Sequence, residues 1–112
     1  MKSLQEIQRQ LQAGDFEFTR HAFKRAVERN ISEEEIKEAS ITMEVIEDYP
    51  DDKYSPSCLL LGFTREERSL HIQVSRIESD VVKIITLYSN VSFAQDIKPK
   101  RWQSKALPSF GF

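Results

Sequence analysis

Glycine is scarce in this 112-residue chain, at 3 residues, and proline numbers only 4. That scarcity excludes a collagen-like or low-complexity chain and removes the glycine-rich loops that cradle phosphates. Cysteine occurs once, at Cys58, so no intrachain disulfide can form. Beside Leu59, Leu60 and Leu61 the thiol reads as a small buried hydrophobe. No apolar run approaches the roughly 18 residues of a membrane span. The opening MKSLQEIQRQLQ lacks the apolar core of a signal peptide. A cytoplasmic protein with no membrane partner is therefore expected. An excess of positive charge is missing too: 16 Lys and Arg stand against 18 Asp and Glu, a net of −2. Indiscriminate coating of nucleic acid needs the opposite balance. There is no CxxC, HExxH, Walker loop, GxGxxG or serine elbow. His21 and His71, far apart in sequence, match no metal-ligand spacing with Cys58, so neither a metal nor a cofactor is expected.

What is present suits one domain over residues 1–112, with no repeat and no linker, burying about two-thirds of its unfolded surface. The charges are segregated. Residues 1–55 carry eight basic and thirteen acidic residues, and residues 56–112 carry eight and five. Acids crowd between Glu33 and Asp52, whereas bases crowd into Arg20–Arg29 and Lys98–Lys105. Local patches are thus more informative than the total.

Leu4, Ile7 and Leu11 recur at helical spacing before Gly14, which predicts a helix over residues 3–13. Phe16–Glu17–Phe18 alternates, as a short strand or an apolar loop would. Thr19 is a plausible N-cap for a second helix over 20–29, with Ala22, Phe23, Ala26 and Val27 on one face and His21, Arg25 and Glu28 on the other. Ser32 and Glu35 form a capping box, with Ile31 and Ile36 spaced as a hydrophobic staple, so a third helix follows. Its Glu33–Glu35 run suits the positive end of the helix dipole. Strands are predicted over 43–49, 57–64, 70–75 and 81–88, joined by short turns that make successive strands antiparallel neighbours. The sum is an α+β fold in which two to three N-terminal helices pack on a four-stranded antiparallel sheet. Beyond Tyr88 the pattern is less regular, and Lys98, Lys100, Arg101 and Lys105 surround Trp102.

His21 and Arg25 lie one helical turn apart, a titratable ring beside a fixed cation. They read either as a general base with a phosphate holder or as ordinary polar residues on a solvated face. His71 stands on the face of its strand opposite Leu70, Ile72 and Val74, either in a polar cleft or half-buried. Thr86 and Tyr88 share one face of the last strand. Metal-free RNA cleavage needs about this set: a base for the 2′-hydroxyl, cations for the phosphate, an acid for the leaving oxygen and a ring on which a base can stack. Arg20, Lys24, Arg29, Lys100, Arg101 and Trp102 are the candidate RNA-binding residues.

Five motifs then follow in a recognisable order. They are Phe18–Ala22 with Arg25, Glu28–Arg29 and Ile31; Ile46–Asp52; Pro56–Gly62; Leu70–Ile72; and Ile84–Tyr88. Together they resemble an uncharacterised bacterial family, domain of unknown function 4258, over about residues 16–88, with 89–112 as a basic tail. That family is grouped with RelE/ParE-like toxins and the barnase and colicin-type ribonuclease fold. The resemblance implies helices on a four-stranded antiparallel sheet and, as an activity, metal-independent RNA cleavage. It marks His21, Arg25, His71, Thr86 and Tyr88 as cleft residues. RNA is then the expected substrate, and an antitoxin-like protein the expected partner. The alternative is a non-catalytic protein-interaction module of the same fold.

Overall fold

A computed structural model describes residues 1–53 and 55–89. Its elements run α1 (Leu4–Ala13), β1 (Phe16–Phe18), α2 (Arg20–Glu28), α3 (Glu33–Ser40), β2 (Glu44–Tyr49), β3 (Ser57–Phe63), β4 (Ser69–Ser75) and β5 (Val82–Ser89). The fold is mixed α+β, and each helix begins where its cap chemistry dictates. Ser3, Thr19 and Ser32 accept from the backbone N–H groups of Glu6, Ala22 and Glu35, satisfying donors that the first turn leaves open. The Ser32–Glu35 capping box closes in both directions, and its staple residues Ile31 and Ile36 are buried. Helix α1 stops at Gly14, whose φ of 84° is the left-handed conformation that favours glycine.

The sheet has five strands in the order β1-β5-β4-β3-β2, not four. The extra strand is the Phe16–Phe18 segment, which pairs parallel to β5, with Phe16 opposite Val82 and Phe18 opposite Ile84. Three residues are too few for alternation to separate a strand from a loop; the tertiary partner decides. The pairs β2–β3, β3–β4 and β4–β5 are antiparallel.

All three helices share one face of the sheet. Cys58, Leu60, Leu70, Ile72, Val74, Val82, Ile84 and Leu87 point to that face and join Ile7, Leu11, Ala22, Ala26, Ile36 and Ala39 in one core. The alternating burial of β3 and β4 follows directly. A bulge at Ile85 shifts the phase of β5 by one residue, so that Ile84 and Leu87 both face the helices. Gly62 allows α3 to lie directly on β3, because a Cβ there would come within 2.1 Å of the Ala39 carbonyl oxygen.

One apolar stripe is not core. Ala22 and Ala26 are buried, whereas Phe23 and Val27 on the same predicted face are 60% and 65% exposed. Helix α2 lies along the edge of the sheet, past the end of β1. Thr19 N–H donates to the Ile84 carbonyl, and Arg29 Nη1 donates to the Leu87 carbonyl. A helix at an edge buries a narrow stripe, and the small residues fill it.

Arg68 fastens this edge. Its guanidinium donates to the Arg29 and Asn30 carbonyls, to both Glu35 oxygens at 3.0 Å and to Ser89 Oγ at 3.2 Å. It thereby ties the end of α2, the start of α3 and the end of β5. Burial works against the charged form of Glu35, but the Ser32 N–H and the Arg68 guanidinium hold its carboxyl below the usual range.

Candidate functional site

Among the described residues, no helix covers the second face of the sheet. Cross-strand register assigns its residues: Leu59 and Leu61 on β3, His71 and Gln73 on β4, and Thr86 and Tyr88 on β5. His71 faces Leu61 on one side and Tyr88 on the other. The His71 and Tyr88 rings lie 4.6 Å apart with only 3° between their planes, a stacked pair.

Burial governs the chemistry of this pair. It lowers the pKa of His71 from 6.5 to about 4, and the ring is neutral at physiological pH. Its Nδ1 is buried and has no hydrogen-bond partner. His71 therefore offers a neutral ring for stacking or proton exchange, not a cation for a phosphate. Burial, then the Glu47 carboxylate, raises the Tyr88 hydroxyl pKa as well. Tyr49 on β2 donates to the Glu47 carboxylate, and burial together with that contact pushes its pKa up to about 12. Both phenols remain protonated donors.

A polar chain crosses the same face. Gln73 Nε2 donates to Ser57 Oγ at 3.2 Å, and Ser57 Oγ donates to Asp52 Oδ2 at 3.2 Å. Beyond it lies a recess of about 400 Å³, lined by Thr19, Asp52, Ser75, Lys83, Ile77 and Ile85 among others. Spacing along the chain gave no sign of Glu47, Tyr49, Asp52 or Lys83 as site residues. They meet through strand pairing, and the only signal available was the period-2 alternation that places Gln73 with His71.

Helical phase divides the basic cluster of α2 into two sides. With Ala22 and Ala26 turned inward, a 100° step per residue sets Phe23 and Val27 on the flank near Ile31, toward the helix layer. The same step sets His21, Arg25 and Arg29 on the other flank, bordering the open sheet face. Arg20 falls beside Val27, and Lys24 points outward, opposite the buried Ala22–Ala26 stripe. By this phase His21, Arg25 and Arg29 share one flank of α2, and Arg29 reaches the Leu87 carbonyl of β5; on the sheet, pairing brings His71 to Tyr88 and Gln73 to Thr86. Arg25 already binds Glu28 at 2.6 Å, and that hydrogen bond, more than the charge itself, lowers the Glu28 pKa. Lys100, Arg101 and Trp102 lie outside the described residues.

Among the described residues, no group of three or more His, Cys, Asp or Glu side chains is placed to hold a metal. No helix among them is long and apolar enough to cross a membrane.

Comparison with curated proteins and with solved structures found no match. A family model described as "Domain of unknown function (DUF4258)" matches residues 18–89. The matched span runs from the last residue of β1 to the last residue of β5 and holds every residue named above on the open sheet face. It covers more than half of the sequence, and the chain belongs to the DUF4258 family.

Proposed function

We propose that this DUF4258 member is a RelE-like, metal-independent endoribonuclease whose RNA site is the open sheet face along the α2 border. The observation that carries the reading is the stacked, neutral His71–Tyr88 pair on the second face of the sheet, and helical phase sets His21, Arg25 and Arg29 together on one flank of α2. An unpaired nucleobase stacks on such rings regardless of sequence, at about 1–3 kcal/mol per base. Arg25 and the remaining donors of Arg29 bind the backbone phosphate, with Arg25 exchanging Glu28 for it. The 2′-hydroxyl gives its proton to a base and attacks the adjacent phosphorus. The bond to the 5′-oxygen breaks, leaving a 2′,3′-cyclic phosphate and a 5′-hydroxyl that takes up a proton. His21 is the group for one of these transfers, because it stands on the exposed rim where a substrate can reach it. Thr86 and Tyr88 supply hydroxyl donors.

Mixed RNA incubated with the protein and a chelator is expected to yield cyclic-phosphate ends, and His21→Ala is expected to lower the rate at least about a hundredfold. No cleavage by wild type on several RNAs and on ribosomes, or equal cleavage by both proteins, defeats the reading.

A non-catalytic interaction module, with an antitoxin-like protein as partner, is the competing reading. The Arg25–Glu28 pair favours it, since the phosphate holder is already neutralised. Capture of a protein partner by a chain that cleaves no RNA would select it.

A further inference from the structure

The two edges of the sheet are unlike. At one, β1 is three residues long and α2 begins directly after it. At the other, β2 is six residues long and pairs only with β3. Every residue from Glu44 to Asp48 is exposed, Val45 and Ile46 included. An outermost strand turns half of its backbone N–H and C=O groups away from its neighbour. Among the described residues, no hydrogen bond outside the β2–β3 ladder reaches the backbone of Glu44–Asp48.

The side chains restrict what pairs with this edge. Glu44 stands opposite Leu61 and Glu47 opposite Leu59, so both lie on the open face. The bulge at Ile46 brings this about. Although three apart in sequence, the two carboxylates take successive positions on one face, as residues i and i+2 of a regular strand do. Val45, opposite Leu60, lies between them on the helix side. Asp48, opposite Cys58, also turns to that side, where Arg76 binds it at 3.1 Å. Glu44 and Glu47 form no ion pair among the described residues, and Glu47 accepts from the Tyr49 hydroxyl.

A second copy of β2 laid alongside in full register sets glutamates against glutamates, and like charges opposite one another destabilise a pair. RNA, a polyanion, is repelled by the same two carboxylates. An extended segment with Lys or Arg at alternate positions is accepted instead. Its backbone completes the edge, its bases meet Glu44 and Glu47, and the apolar residue between them meets Val45.

We propose that β2 is the docking edge for an extended basic segment of another protein, with basic residues two apart and an apolar residue between them, added to the sheet as a further strand. Strands β3 and β4 separate this edge from β5, and the proposal does not depend on the RNA reading.

The probe is a short capped peptide of alternating lysine and valine, titrated into the isotope-labelled full chain and followed by NMR. Amide shifts are expected along Glu44–Tyr49, with slower hydrogen exchange at the outward amides of β2. A peptide of the same composition with its lysines grouped at one end is expected to bind at least about tenfold more weakly, which separates strand pairing from charge alone. Glu44→Lys combined with Glu47→Lys reverses the preference: that variant loses the lysine–valine peptide and binds its glutamate–valine counterpart. Both side chains are exposed, and circular dichroism checks that the variant folds. Equal binding of the alternating and grouped peptides overturns the proposal, as do shifts that avoid β2 or an unreversed preference in the double variant. Slow exchange at the outward β2 amides before any peptide is added would show that the chain fills its own edge, and overturns it as well.

Discussion

At the scale of single residues, burial decides what His71 can do. Its folded pKa of about 4 lies below the ordinary 6.5, so between those values the unfolded chain binds the proton and the native one does not. Stability therefore rises with pH across that window and is lost as pH falls from 6.5 toward 4. His71→Phe keeps a ring to stack on Tyr88 but cannot titrate. Urea midpoints measured at pH 7 and pH 4.5 should differ clearly for wild type and much less for the variant; an unchanged difference would show that His71 is not the group responsible. The face of the strand that His71 occupies was legible from alternation with Leu70, Ile72 and Val74. Its stacking partner was not, because the Tyr88 register depends on the bulge at Ile85.

At the scale of elements, the helices were the most legible because their start signals are local. Thr19, Ser32 and Glu35 act on the next three backbone N–H groups and need no distant partner. Phe23 and Val27 misled for the opposite reason: periodicity gives a face, but only tertiary placement says how wide a stripe is covered. The strand at Phe16–Phe18 is likewise defined by β5 and not by itself. Gly62 joins two elements, and its role cannot be read from its neighbours in sequence. Replacing it with Ala sets a methyl against the Ala39 carbonyl, and neither backbone has room to yield. A destabilisation of about 3 kcal/mol by denaturant titration is expected, at the upper end of overpacking costs. A loss under about 0.5 kcal/mol would mean that α3 does not lie as close to β3 as described.

At the scale of the whole molecule, the fold separates three surfaces that the net charge of −2 conceals. One face of the sheet carries the helices. The other carries the stacked His71–Tyr88 pair, the Glu47–Tyr49 contact and the Gln73–Ser57–Asp52 chain. Helix α2 divides them, turning Arg25 and Arg29 one way and Phe23 and Val27 the other. The RNA site proposed above is a local patch, in keeping with the sequence's lack of excess positive charge. The most direct test is NMR titration of the labelled chain with a short RNA whose reactive 2′-hydroxyl is removed, so that it binds without being cut. The account predicts amide shifts concentrated at His71, Gln73, Thr86 and Tyr88 and along the Arg25–Arg29 side of α2. Shifts confined to α1 and α3, or none at any RNA concentration, would contradict it.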